Sequence, residues 1–144
     1  KIDFTRPSAV ADVQYVRPTM PPFEPLHGFG PEEGNGSDGS GRFRWLLGPK
    51  ATFAAHTDFA GPARLIVRCH NSQPGQRLRL VRDGKVVAEQ QAPVASGAGE
   101  TVLAFSTPAT RGANHFELHA WKWKPGPGRH EAMQIYSINY VPEP

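Results

Sequence analysis

Hydrophobic residues along this chain come in short runs in which every second position is apolar, and glycine and proline break the runs apart. Residues 63–70, Ala-Arg-Leu-Ile-Val-Arg-Cys-His, show the pattern: Leu65, Val67 and Cys69 share one face, and Arg64, Ile66, Arg68 and His70 share the other. A period of two is that of a half-buried strand. The same signal recurs at Arg42–Leu47, Ala51–His56, Arg77–Arg82, Lys85–Gln91, Thr101–Ser106, His115–Lys124 and Gln134–Val141. Turn residues lie between them, at Gly48-Pro49, Gly61-Pro62, Gln73-Pro74-Gly75, Asp83-Gly84, Ser96-Gly97 and Arg111-Gly112. Asp83-Gly84 is the sharpest of these, because both central positions of a tight hairpin turn need positive φ. No stretch of about 12 residues carries the 3.6-residue period of a helix. Short strands at this spacing predict an all-β fold, an antiparallel β-sandwich of jelly-roll type.

The two ends of the pattern differ. Residues 1–25 carry Pro7, Pro18, Pro21, Pro22 and Pro25 and read as an extended N-terminal arm. Within it Ala9, Ala11, Val13 and Tyr15 share one face, opposite Asp12 and Gln14, which predicts a strand over Ala9–Arg17. Residues 27–41 read as a loop, and Gly34–Gly41 has no apolar anchor. The expected organisation is an arm with one strand over 1–25 and a sandwich over 26–144. In the strand after the loop, Phe43, Trp45 and Leu47 alternate as candidate core residues.

Composition narrows the class. The 144 residues include 15 Gly and 15 Pro, which argues against a helical bundle. Charged residues are only 20% and the net charge is +3, unlike a disordered polar chain. The length suffices for one real core. A single cysteine, Cys69, excludes an internal disulfide and a multi-cysteine zinc site; on the predicted core face it is a buried structural thiol. Lys and Arg are scattered, not clustered, so no nucleic-acid partner is expected. No run of about 18 apolar residues occurs, so membrane insertion is not expected. The chain opens Lys1-Ile2-Asp3-Phe4 without a signal-peptide pattern, which suggests an excised domain or a processed mature chain.

The candidate chemistry lies on the predicted strand His115–Lys124. Phe116, Leu118 and Ala120 take one face; His115, Glu117, His119, Trp121 and Trp123 take the other. Tryptophans at i and i+2 on one sheet face stand about 6–7 Å apart. Such a flat aromatic surface suits the axial C–H groups of a sugar ring, with neighbouring His, Glu and Arg groups, including Arg68 and His70, for its hydroxyls. The alternative is that a loop or the arm covers one or both tryptophans. His115-x-Glu117-x-His119 also has the spacing of strand-borne metal ligands. Further ligands would have to come from elsewhere, and His56, His70 and His130 qualify by residue type alone, so an exposed polar face is the plainer reading. Asn35 and Asp38 lack the acidic density of a calcium loop. No metal and no cofactor are therefore expected.

Catalytic patterns are missing. Glu32 and Glu33 are adjacent, but no spacing ties them to Glu117 or Asp58 as a glycosidase pair. No nucleophile elbow and no phosphate-binding glycine motif occurs. No catalytic residue is assigned.

Several short motifs carry a resemblance. Gly28-Phe29-Gly30-Pro31-Glu32 is followed by Phe43-Arg44-Trp45 opening a strand. Asp83-Gly84 then marks a hairpin, Gly112-Ala113-Asn114 leads into a long strand, and Met133-Gln134-Ile135-Tyr136-Ser137-Ile138 forms a last strand after Arg129. Over about residues 27–142 this resembles a carbohydrate-binding-module-like β-sandwich associated with polysaccharide-biosynthetic glycosyltransferases and cell-surface glycan proteins. The resemblance implies a jelly roll without catalytic activity. It transfers no site residues beyond a cluster of Glu32, Arg44 and Trp45, in which Glu32 is expected to bond Arg44. The Gly34–Gly41 tract and residues 1–25 lie outside its pattern.

These readings lead to a non-catalytic carbohydrate-binding β-sandwich outside the cytoplasm (periplasmic, cell-surface or secreted). Its partner would be a polysaccharide or glycan held by Trp121, Trp123, His119, Glu117, His115, Arg68 and His70. The alternative is a structural subunit of an extracellular filament or surface assembly, joined by strand exchange through residues 9–17, since open sheet edges accept an added strand. A metal-dependent or carboxylate hydrolase is the third reading, and no convergent set of acid, base or ligand residues supports it.

Overall fold

The computed structural model describes residues 23–34, 42–95, 99–126 and 129–144, with the side chains of 125–130 left out. The expected strand Ala9–Arg17, the residues Asn35 and Asp38, and the side chain of His130 lie outside what is described. The described residues form strands β1 (Phe23–His27), β2 (Glu33–Gly34), β3 (Arg42–Leu47), β4 (Lys50–Thr57), β5 (Ala63–His70), β6 (Arg77–Arg82) and β7 (Lys85–Gln91). These are followed by β8 (Thr101–Ser106), β9 (Gly112–Ala120), β10 (Lys124–Gly126) and β11 (Arg129–Pro142). No helix occurs among the described residues.

The strands build two antiparallel sheets packed as a sandwich. One has the order β1-β4-β9-β6-β7; the other has the order β2-β3-β11-β5-β8, with β10 added along β11. The alternation read from the sequence is the burial pattern of the strands. In β5, Ala63, Leu65, Val67 and Cys69 are buried, and the residues between them are open or half-open. Aromatic rings join the layers. Phe53 on β4 stacks on Phe116 of β9 with ring centres 5.4 Å apart. Phe116 in turn meets Tyr140 of β11, in the facing sheet, edge-on at 5.5 Å.

The hairpin at Asp83-Gly84 has the expected backbone, with φ of 53° and 76° at its two central residues. A bulge between Leu80 and Val81 shifts its register, so that Arg79 faces Glu89.

Three elements depart from the pattern. β1 falls in a segment read as a proline-rich connector, yet Phe23 is part of the core. Pro25 is tolerated there because β1 is an edge strand paired to β4 alone. The sandwich therefore takes in residues assigned to the arm. β9 stops at Ala120 instead of running to Lys124. Its last pair with β6 sets Ala120 opposite Leu78; beyond it Trp121 N–H meets Arg77 O at 3.2 Å, and the amides of Trp121 and Lys122 turn to the Gln76 side chain. In β3 the pleat is the reverse of the expected one. Leu46 pairs with Met133 and both lie in the core, whereas Trp45 pairs with Gln134 on the face turned away from it. A shift of one residue exchanges the two faces of a strand.

The motif 28–32 is an edge clamp. Leu47 N–H donates to Gly28 O at 2.8 Å, and Gly30 N–H donates to Trp45 O at 2.9 Å. Arg44 donates to Gly30 O at 2.7 Å, and Glu32 accepts from Arg42 at 3.2 Å.

Candidate functional site

The outer face of the five-stranded sheet carries the row expected on β9. His115, Glu117 and His119 lie opposite Ala54, Thr52 and Lys50 of β4. Glu117 and His119 also lie opposite Val81 and Arg79 of β6. Their exposure follows from the pleat, since Phe116 and Leu118 between them are buried in the core. Within the row, His119 Nε2 and Glu117 Oε1 are 2.8 Å apart.

The tryptophans follow a different rule. Because β9 ends at Ala120, they are set by a loop and not by the pleat. Trp121 is 53% exposed and Trp123 36% exposed. The guanidinium groups of Arg77 and Arg79 stand 5.9 and 5.7 Å from the Trp121 ring centre. Trp121 thus borders the His119 end of the row. The Trp123 ring lies against the backbone of Gly48, in the turn between β3 and β4. Together with Gln73 and Lys122 the two tryptophans line an open hollow of about 360 Å³.

His115 and Glu117 line a second, smaller hollow of about 230 Å³ on the same sheet face, with Leu26, Thr52, Val81 and Asp83. The Thr52 hydroxyl there is buried and has no hydrogen-bond partner among the described residues. The residues expected to form one platform are therefore divided between two depressions.

Arg68 and His70 do not join them. Both are on β5, in the other sheet, and face outward from the opposite side of the sandwich. Arg68 pairs with Glu100, and His70 Nδ1 contacts Gly99 O at 2.8 Å. Alternation along β5 showed that they face outward; it carried no information about which sheet β5 enters.

Groups with no clear sequence signal hold the tryptophan loop in place. Gln76 is fully buried. Its Oε1 accepts from the amides of Trp121 and Lys122 at 3.0 Å each and from Arg77 N at 3.2 Å. Its Nε2 donates to Lys122 O at 2.7 Å. Gln73 Nε2 donates to Ala132 O at 3.1 Å, and Asn71 Oδ1 accepts from Gln73 N at 3.1 Å. The segment Gln73-Pro74-Gly75 reads as a plain turn, and nothing in the chain marks its amides as buried.

Glu89 is the other such group. It accepts from Arg77 at 2.6 Å and from Arg79 at 3.1 and 3.3 Å, which fixes both guanidinium groups beside Trp121. The hydrogen bonds from Arg79 and then Arg77 hold its carboxyl below the ordinary glutamate value. Without the bulge in the hairpin, Arg79 would face Ala88 instead.

Among the described residues no group of three His, Cys, Asp or Glu is placed to hold a metal ion. Cys69 is buried, and desolvation, followed by the charge of Glu100, pushes its thiol up to about 12. It is not an accessible nucleophile.

The sandwich matches solved structures over most of its length. A family 35 carbohydrate-binding module from Clostridium thermocellum superposes with a TM-score of 0.60, at 11% identity, over 87% of this chain and 96% of that one. The fold is that of the carbohydrate-binding modules. A family 6 module from the Cellvibrio mixtus lichenase 5A, in complex with cellotriose, gives a TM-score of 0.55 at 12% identity over 85% of this chain and 97% of that one. An exo-β-1,3-galactanase from Phanerochaete chrysosporium gives 0.57 at 13% identity over 83% of this chain. There this chain spans 27% of the partner's length. No protein-family model and no curated protein matches the sequence.

Proposed function

We propose that this chain is a non-catalytic carbohydrate-binding module that acts outside the cytoplasm and holds a polysaccharide or glycan in the Trp121–Trp123 hollow. One observation carries the reading: two exposed tryptophans line a single open hollow on a carbohydrate-binding-module fold. An indole face takes the C–H side of a sugar ring, and a few fixed polar groups orient it. Arg79, His119 and Glu117 supply those groups along the adjoining sheet face. Six strand-like steps separate Trp121 from His115, roughly 20 Å at the rise of a strand. A ligand using both hollows is therefore an oligosaccharide of several units and not a single sugar.

The test is a fluorescence titration of the whole chain against a panel of neutral and acidic polysaccharides. Binding should change tryptophan emission. Trp121→Ala should weaken it at least about tenfold, the scale of about 1.4 kcal/mol of lost contact. Arg68→Ala, on the opposite side, should leave it unchanged. Silence across the panel overturns the proposal.

A further inference from the structure

The β3–β11 part of the outer face of the second sheet is closed although it points away from the core, whereas Val102 on β8 of the same sheet is open. The β3–β11 register sets Trp45 opposite Gln134 on that face. Phe43 shares it, with its ring edge-on to Trp45 at 5.8 Å. On β11, Ser137 and Asn139 lie opposite Arg68 and Ile66, again facing outward. The Tyr136 hydroxyl reaches toward the side chain of outward-facing Gln134 at 3.4 Å. An antiparallel sheet with one face on the core ordinarily gives the other face to water. Here Phe43 and Tyr136 are only 5% exposed, Asn139 6% and Ser137 1%. On the outer face of the other sheet Lys50 and His115 are exposed, and the smaller Ala54 and Val81 are covered.

This part of the face is covered, and the rings of Phe43, Trp45 and Tyr136 suit an apolar cover. The stretches outside the described residues are 1–22, 35–41, 96–98 and 127–128. The last three consist of Gly, Ser, Asn, Asp, Ala and Pro, with no large apolar residue. Residues 1–22 hold Phe4, Val10, Val13, Tyr15 and Val16. Chain continuity points the same way. Gln90 of β7 donates to Ala104 O of β8, which places those two sheet edges side by side. The opposite edges, β1 and β2–β3, are then neighbours, so the chain leaves Phe23 backwards at the rim of this face. Neighbouring strands are about 4.8 Å apart, so 22 residues have ample reach.

We infer that residues 1–22 lie across the outer face of β3 and β11 in the same molecule, with the apolar side of Ala9–Arg17 over Phe43, Trp45 and Tyr136. The arm is then a third layer of the sandwich. It leaves the Trp121 side untouched, so the proposal stands or falls apart from any glycan binding.

Trp45 is one of three tryptophans, so Trp121→Phe with Trp123→Phe leaves it as the sole emitter. In this 144-residue double variant Trp45 should be shielded from iodide. Adding Val13→Asp and Tyr15→Asp should raise the quenching constant about threefold, because an uncovered antiparallel face is open to water. Ser8→Asp with Gln14→Asp, which adds charge off the apolar side, should not. Sedimentation over a range of concentrations gives the source of the cover. A monomer with concentration-independent shielding supports the inference. Unchanged quenching in the Val13/Tyr15 variant overturns it, and so does shielding found only in a dimer, which would assign the arm to a second copy.

Discussion

Trp123 lies so close on Gly48 that a β-carbon placed there would stand 2.6 Å from Cγ and Cδ2 of the indole. The turn between β3 and β4 therefore serves as the floor under one of the two exposed tryptophans. Gly48→Ala should force the indole off its seat and cost about 1–3 kcal/mol, the usual range for overpacking. A changed tryptophan signal in near-ultraviolet circular dichroism, with the sandwich still folded, checks the displacement. If Trp123 takes part in binding, the same variant also loses affinity.

Gln76 ties the start of the tryptophan loop to the β5–β6 connection. Gln76→Leu keeps the volume and removes the acceptor shared by three backbone amides. Trp121 N–H keeps Arg77 O at 3.2 Å, but the part-buried Lys122 amide loses its acceptor, so chemical denaturation should show a loss of about 1 kcal/mol. Trp121 should also become more mobile, seen as lower fluorescence anisotropy.

Glu89 gives the sheet face an acid dependence with a definite sign. Its folded value is lowered by the two arginines, so its contribution to stability is present above the ordinary value of 4.5. That contribution is lost as pH falls through the lowered folded value. Glu89→Gln should flatten the acid limb of a stability–pH curve. It should also free Arg77 and Arg79 from their fixed place beside Trp121, which a change in Trp121 emission reports.

Cys69 works in the opposite direction. Its thiol is raised from 9.0 to about 12, so the folded chain keeps a proton that the unfolded chain releases in that window. The contribution is complete below pH 9 and is lost as pH climbs toward 12. Tyr140, raised chiefly by desolvation, adds to the decline from a higher starting point. Cys69→Ala should remove the earlier part of the decline and leave the later part. In the native protein at neutral pH the thiol should resist alkylation until the chain unfolds.

The sequence by itself determined the strands whose two faces meet different surroundings. Leu65, Val67 and Cys69 alternate with polar residues because one side of β5 packs on the core. Asp83-Gly84 was legible because only a few residues accept positive φ at both turn positions. The row His115, Glu117 and His119 was legible for the same reason as β5. Periodicity failed where both faces of a strand are covered: in β3, Phe43 and Leu46 are both buried, so apolar character could not tell inside from outside. It failed at β1, where the prolines of an edge strand look like a linker. Which sheet a strand enters was decided only by tertiary structure. This is why Arg68 and His70 belong to the side away from Glu117, and why a bulge in the hairpin brings Glu89 to Arg79. The pleat is a local property that the chain carries along itself. Sheet order, bulges and the cover over a face depend on pairings between distant segments, which no local pattern encodes.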